Sequence, residues 1–425
     1  MATSLHLPGR RASRTVDPDG GAHLAELLLE QDIHLLSRSE AGRALPWDIV
    51  CEEGRRDDVA RGFLGWKSLG LGDAYVRGWW RCERIDLLFE RLLRLNHGQR
   101  RNPIFFRIPA SPRLVLDQLR YRLLNLSLLR EMDVARQHYD LPAELYEGFL
   151  GATMKYTAGD WQGLEPTAGN LDAAQRQNLD HWVRELGISD GDVVLDCGCG
   201  WGTLADHLAD RFDLTYIGIT ISAVQLDYCR ARHASRNKYF FHHHSYHQRY
   251  KELLAACGQE EITSCIFLET IEHGGTRNWP AILRNVREVM APDGLLGIQV
   301  IGSDHPIPVS DPYINKYIFP HLSIGSPSQI GKAIESDRQF VMLSQKNFSA
   351  NYPPTLRAWN EIFHANWPAI EPFIGRILER TPFATTEQWR RHWEFYLLMC
   401  AGAFSAGTYC QDYQVTARPN HYVAA

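Results

Sequence analysis

The stretch Val193-Val194-Leu195-Asp196-Cys197-Gly198-Cys199-Gly200-Trp201-Gly202 constrains the fold more than any other part of the chain. β-Branched and aliphatic residues run into an acid, glycines follow at alternate positions, and Thr203-Leu204-Ala205-Asp206-His207-Leu208 then reads as a helix. A buried strand, a tight loop and a helix N-terminus present backbone N–H groups and the positive end of a helix dipole to a ligand. Glycine lets the main chain approach atoms that a Cβ would repel. The spacing is G-x-G-x-G, not the G-x-G-x-x-G of dinucleotide folds. With the acid just ahead of the glycines, it suits a smaller adenosyl ligand without a pyrophosphate, S-adenosylmethionine first among them.

From about residue 180 helices alternate with short apolar strands. The patterning predicts a helix over 178–186, a strand over 192–196, a second over 214–219 ending at Thr220, a helix over 223–233 and a third strand over 238–241. A fourth strand over 262–267, a helix over 280–290 closed by Pro292-Asp293-Gly294, and a fifth strand over 295–301 follow. Such alternation implies right-handed crossovers and a parallel sheet, an α/β fold. Ligands in these sheets sit outside the carboxyl ends of the strands. The glycine loop, Thr220-Ile221-Ser222 and the segment 269–275 all fall at those ends. Beyond residue 303 the alternation breaks. A strand over 340–348, helices over 355–367 and 388–405, and a closing strand over 413–417 are predicted, with about 303–383 read as a helical lid insertion.

The segment 1–21 carries Arg10, Arg11 and Arg14 but no apolar core, which predicts a disordered tail rather than a signal peptide. Helical periodicity marks 24–36 and 85–95, whereas the glycines of 63–75 predict turns. The organisation expected is a tail (1–21), a smaller, mainly helical accessory domain (22–125) and a catalytic domain (126–425). The formal net charge of −5 gives no bulk attraction to nucleic acid. No window approaches ~18 apolar residues, so no membrane span is predicted. Nine cysteines without regular spacing do not form a disulfide framework, which points to a reducing cytoplasm. Arginines among the leucines of 120–130 make either a solvated face or a surface for anionic headgroups, and hence peripheral contact with the inner membrane face.

Six ordered motifs carry a family resemblance. They are Leu69-Gly70-Leu71-Gly72-Asp73-Ala74-Tyr75 with Gly78-Trp79-Trp80, His138-Tyr139-Asp140-Leu141, the 195–202 loop with Thr220-Ile221-Ser222-Ala223-Val224-Gln225, Ile271-Glu272-His273, the 311–320 run beginning Asp311-Pro312-Tyr313, and Cys400-Ala401-Gly402-Ala403-Phe404. The chain resembles the cyclopropane fatty acid synthases. The resemblance implies a class I methyltransferase (Rossmann-like) sheet with helical additions and a smaller N-terminal domain that helps dock on lipid. It also implies transfer of a methylene from S-adenosylmethionine to a cis double bond of an acyl chain, and pairing of two chains in a homodimer. Tyr156, Thr157, Asp196, Gly198, Gly200, Gly202, Thr220, Ser222, Gln225 and Ser245 are the residues expected to hold the cofactor.

The resemblance further implies a bicarbonate ion as base, surrounded by cysteine, glutamate, histidine and tyrosine side chains. Carried over, the glutamate is Glu272 and the tyrosine Tyr352, but the cysteine position is Ala158 and the histidine position Gln299. Glutamine still hydrogen-bonds an anion; the alanine side chain does not. Glu269 stands where ring-forming members have a small residue. Its carboxylate could replace bicarbonate or bind a cationic amine. Glu269-x-x-Glu272-His273 is similar to plant alkaloid N-methyltransferases, and the glutamate–glutamine pair to a branch making methyl-branched acyl chains. Two functions follow: methylene or methyl transfer to an unsaturated lipid acyl chain, or methylation of a nitrogen or carbon of a small molecule without ring formation. Glu269, Glu272, His273, Gln299 and Tyr352 are the catalytic candidates under both, with His273 either acting directly or bracing Glu272. The histidines of His242-His243-His244 alternate in direction on an extended segment and cannot grip one metal ion.

Overall fold

The computed structural model describes residues 20–94, 112, 115, 116, 126–307 and 311–421. Two sheets are present among them. A small one joins β1 (Leu35–Ser37), β2 (Ile49–Cys51) and β3 (Trp80–Arg81). The large one contains β4 (Val193–Cys197), β5 (Thr215–Thr220), β6 (Tyr239–His243), β7 (Ile262–Leu268), β8 (Met290–Gly302), β9 (Phe340–Asn347) and β10 (Gln411–Pro419), in the order β6-β5-β4-β7-β8-β10-β9. The first five of these are parallel, as the alternation predicts. β10 runs antiparallel and is wedged between β8 and β9. The strand order reverses at β4, so the crevice beyond its carboxyl end is where a ligand sits.

Several local expectations are corrected. The glycine-rich 63–75 region does not turn. It forms two helices, α1 (Arg56–Trp66) and α2 (Ser68–Val76), broken at Lys67 with φ of +53°. Its glycines serve a close crossing instead: a Cβ on Gly70 would lie 1.9 Å from the Gly62 carbonyl oxygen. The helical run of 24–36 ends at Leu29, and Leu35–Ser37 is extended. Pro292-Asp293-Gly294 lies inside β8, where the register against β7 is irregular, instead of closing a helix. Within the segment read as a lid, Phe340–Asn347 is the outer strand of the sheet. The tail of 1–19 and the arginines at 120 and 122 lie outside the described residues. Among the described residues no helix is long and apolar enough to cross a membrane.

The N-terminal elements have no core separate from the rest. Leu24, Phe63, Leu71, Trp80, Leu88 and Phe89 pack in one cluster with residues of α3 (Tyr352–Ile377) and α4 (Thr386–Ser405). Two of the sequence motifs acquire physical reasons here. A Cβ on Gly402 would stand 2.3 Å from the Asp86 carbonyl oxygen, so the helix Ile85–Leu93 crosses α4 at its glycine. A Cβ on Gly72 would meet the Tyr313 ring at 2.3 Å, which locks the first motif to the 311–320 run.

Gly402→Ala is expected to cost about 1–3 kcal/mol by overpacking. Gly375→Ala, in the last turn of α3 with nothing within 4 Å of the new Cβ, should be neutral or stabilise by up to about 0.5–1 kcal/mol. Urea unfolding of the two variants checks the pair; equal costs would refute the close crossing.

Candidate active site

The cavity opens where the crevice is expected. Its wall is built from Gly198 to Trp201 after β4, Thr220 to Ser222 after β5, His244 and Tyr246 after β6, and Glu269, Thr270 and His273 after β7. Met154 to Thr157 and Tyr139 also line it. The loop glycines adopt positive φ, +93° at Gly198 and +55° at Gly200. A Cβ on Gly198 would strike Thr270 at 2.4 Å, and the Thr270 hydroxyl donates to the Cys197 carbonyl at 2.6 Å. The glycine loop and the Glu269–His273 loop are thereby fastened together.

Four buried polar atoms on this wall have no partner among the described residues: Asp196 Oδ1, Trp201 Nε1, His244 Nε2 and His273 Nδ1. A buried polar group left unpaired costs about 1–3 kcal/mol, so an acceptor and nitrogens gathered on one wall fit a polar ligand carrying donors and acceptors of its own. Asp196 Oδ2 accepts from the Tyr216 hydroxyl at 2.6 Å, and burial pushes its carboxyl up to about 7. A cationic group arriving at Oδ1 would restore its ionisation. These features suit the amino-acid and nucleoside parts of S-adenosylmethionine.

Of the ten cofactor residues expected, Tyr156, Thr157, Asp196, Gly198, Gly200, Thr220, Ser222 and Gln225 line the cavity. Thr220 donates to Gln225 Oε1 at 2.9 Å, and Ser222 caps the helix Ala223–Arg232 while donating to Asp140 at 2.8 Å. Gly202 does not line it. Its φ of +78° starts the helix Thr203–Ala209, and its missing Cβ leaves room for Cys229 Sγ. Ser245 is also displaced, its hydroxyl donating to Glu131 at 2.7 Å and accepting from the His247 N–H. The three histidines diverge: His242 meets Cys257, His243 meets the Ile221 carbonyl, and His244 faces the cavity.

The catalytic candidates separate into two groups. Glu269 faces the cavity in the left-handed region, with φ of +55°. Its Oε1 accepts from the Ala158 N–H at 3.1 Å and the Gln299 amide at 2.7 Å, while its Oε2 accepts from the Tyr352 hydroxyl. Glu272 lies behind the wall, 1% exposed, with Oε1 accepting from the Ile301 N–H at 3.3 Å and Oε2 without a hydrogen-bond partner among the described residues. Burial and, behind it, the nearby Glu269 charge hold its carboxyl well above the usual range. His273 does not brace Glu272. Its Nε2 pairs with the Tyr139 hydroxyl at 3.0 Å, and burial lowers it to about 4, so the ring is neutral at pH 7.

Two charged residues were missed by sequence reasoning. Lys155 lines the cavity at 2% exposure and donates to the Ala158 carbonyl at 2.7 Å and to the Thr157 hydroxyl. Asp412, wholly buried on β10, accepts from the Gln299 amide at 2.9 Å. An acid one residue ahead of the predicted closing strand was the available signal. Aromatic rings gather beside the cavity: His138 lies between Tyr156 at 5.6 Å and Trp393 at 5.5 Å, and Phe319 is 6.1 Å from Tyr139.

The sheet order, glycine loop and crevice define a class I S-adenosylmethionine-dependent methyltransferase fold. The family model for mycolic acid cyclopropane synthetase matches residues 127–414, and the chain belongs to that family. It is 34% identical over 343 residues to the cyclopropane-fatty-acyl-phospholipid synthase of Escherichia coli, covering 80% of each chain. Among solved structures it resembles the cyclopropane synthase MmaA2 of Mycobacterium tuberculosis, with a TM-score of 0.57 at 20% identity over 68% of this chain and 98% of that one. It also resembles a coclaurine N-methyltransferase, with a TM-score of 0.62 at 20% identity over 82% and 98%. These two likenesses show the fold.

Asp196→Asn is expected to weaken S-adenosylmethionine binding by about tenfold or more, the loss of a charge-assisted hydrogen bond. Ser245→Ala should leave it within about threefold, because its hydroxyl is committed to Glu131; a few tenths of a kcal/mol is the scale of such a remote change. Isothermal calorimetry compares them.

Proposed function

We propose that this enzyme transfers the sulfonium methyl carbon of S-adenosylmethionine to a cis double bond of an unsaturated (phospho)lipid acyl chain, with Glu269 as the base. The observation that carries the reading is the set of donors around Glu269. The Ala158 N–H, the Gln299 amide and the Tyr352 hydroxyl belong to three of the four positions from which the resemblance expects bicarbonate to be held, and all three donate to this carboxylate. The side chain supplies the anion that the family otherwise borrows. The acyl-phospholipid substrate named for the Escherichia coli relative supports the acceptor class.

When bound, the cofactor supplies an activated methyl carbon and a neutral thioether leaving group. Alignment is therefore the main task of the protein. As the π pair of the double bond takes the methyl carbon, positive charge develops on the acyl chain. Buried carboxylates and the faces of Tyr139, Tyr156 and Phe319 favour that charge in a site with little water. Loss of a proton from the transferred carbon lets its C–H pair close the ring. Loss from a neighbouring chain carbon leaves a branched alkene of the same composition. Three of about four acceptor sites on Glu269 are filled, which leaves one for this proton. The same saturation argues against a substrate ammonium clasped between Glu269 and Glu272, since Glu272 lies behind the wall.

Peripheral contact with an anionic membrane surface is part of this reading. Arg55 and Arg77 stack on Trp79, at 4.8 Å and 5.0 Å from the ring, in the N-terminal region. Basic groups beside an interfacial aromatic favour headgroups. The accessory role of residues 22–125 and the covering role of the 303–383 segment outside β9 complete the proposal.

Incubation with S-adenosylmethionine and vesicles of unsaturated phospholipid should give acyl chains heavier by one CH₂ in mass spectrometry, with NMR separating ring from branch. No product with any unsaturated lipid, despite cofactor binding, would reject the proposal. Glu269→Gln should lower kcat by about a hundredfold or more, the usual scale for a lost general base, and leave cofactor affinity nearly unchanged. Removing and restoring bicarbonate should not alter the wild-type rate.

A further inference from the structure

The carboxylate read as the base does not sit alone. Asp412 faces it across one amide: Gln299 Nε2 donates to Glu269 Oε1 at 2.7 Å and to Asp412 Oδ2 at 2.9 Å. That amide cannot turn over without loss. Its oxygen accepts from Asn178 at 3.3 Å, Trp182 at 3.2 Å and Gln414 at 3.2 Å, so both of its N–H groups are committed to the two acids. The register explains the juxtaposition. Gln414 pairs with Gln299 and Asp412 with Ile301, so Asp412, Gln414 and Gln299 share one face of the sheet. Asp412 Oδ1 has no partner among the described residues.

Lys155 approaches from the other side of the same carboxylate. Ala158 is the shared element, its N–H given to Glu269 and its carbonyl accepting from Lys155 Nζ. The hydrogen-bond partners of Nζ, Ala158 and Thr157, are both neutral. A buried cation with only neutral partners depends on nearby negative charge, and that charge is on Glu269 and Asp412. Burial brings the ammonium down to about 8 despite them. Among the described residues, the titratable groups that interact electrostatically with Glu269 are Lys155, Tyr139, Glu272, Tyr352, Cys410 and Asp412. Lys155 is the one cation in the set.

Building on the reading of Glu269 as base, we propose that Lys155 and Asp412 are opposed positioning charges. Lys155 keeps the Glu269 carboxylate ionised between turnovers, and Asp412 raises its affinity for the proton it receives. The opposition is useful to the reaction. A carboxylate stabilised too well by a lysine is a weak base, and one crowded by acids is protonated before substrate arrives. One amide joins the two acids, and burial and, behind it, the Glu269 charge hold the Asp412 carboxyl well above the usual range, so each acid titrates in the field of the other.

The test is an isotope-edited infrared titration of the full-length protein with ¹³C-labelled glutamate, the Glu269 band being the one lost in Glu269→Gln. Lys155→Met should move that titration upward by about one pH unit or more, the scale for loss of a neighbouring opposite charge. Lys155→Arg should restore it. Asp412→Asn should move it downward, and the double variant Lys155→Met/Asp412→Asn should return towards wild type. The acid limb of kcat for lipid methylation should follow in the same directions, because activity requires ionised Glu269. An unmoved infrared titration in Lys155→Met, or an unmoved or raised one in Asp412→Asn, would overturn the proposal. Infrared shifts without matching shifts in the kinetic limb would keep the charge pair and reject Glu269 as the base. Where thermal melts show that Lys155→Met does not fold, Lys155→Gln and Asp412→Asn carry the same readout.

Discussion

A carboxylate held out of water is the constraint around which the site is arranged. Glu269 is buried, and an isolated carboxylate in that setting would give up its charge by taking a proton. Burial does push it up. Against that stand the donors from Ala158, Gln299 and Tyr352 and the field of Lys155. They come from three parts of the chain: the segment 155–158 ahead of β4, which supplies both Lys155 and the Ala158 N–H, then β8 and α3. Assembling one side chain in its working state therefore requires the sheet, the C-terminal helices and the approach segment to be in place together.

The backbone contributes as well. Glu269 is non-glycine at φ of +55°, a conformation with a modest steric cost for an L-residue. The Glu269 N–H is tied to the Gln299 carbonyl at 2.7 Å, and the next residue is tied to the glycine loop through Thr270. The turn that follows β7 thus points Glu269 into the cavity and sends Glu272 behind it. Two acids three residues apart occupy different environments for that reason. The outer one accepts from two side chains and a backbone N–H; the inner one has only backbone donors among the described residues, Ile301 at 3.3 Å among them, and favours its neutral form.

The parts of this arrangement that follow local rules were legible in the sequence. The glycine loop, the strand ends and the helix that starts at Ala223 depend on residues within a few positions of one another, and the cavity forms where they predict. What was illegible depends on contacts between distant segments. The glycines of 63–75 look like turn residues until Gly62 and Gly70 are seen to meet across two helices. Gly202 looks like a ligand-facing glycine until Cys229 fills the space beside it. Ser245 looks available until Glu131, more than a hundred residues away, takes its hydroxyl. Asp412 is an acid one residue ahead of the predicted closing strand, and only the antiparallel pairing of β10 with β8 brings it beside Gln299. Local sequence signals cannot report such pairings, because the partner is supplied by topology.

A base that belongs to the chain differs physically from one that arrives from solution. A dissociable anion must be captured at its ambient concentration, and its site is empty for part of the time. A tethered carboxylate is always present, and the cost of burying it is carried in every state of the folded protein. With Glu269 as the proposed base, that permanent cost gives a reason for the replacement not to end at one residue. Ala158 meets the carboxylate through its backbone N–H, and Gln299 offers two N–H groups where an imidazole offers at most one towards this face. The second of those N–H groups falls to Asp412, which adds negative charge, and a buried lysine then becomes the natural counterweight. On this view Glu269, Gln299, Lys155, Asp412 and the main chain of Ala158 form one electrostatic unit, and exchanging any one of the four side chains alone leaves a buried charge or donor without its partner.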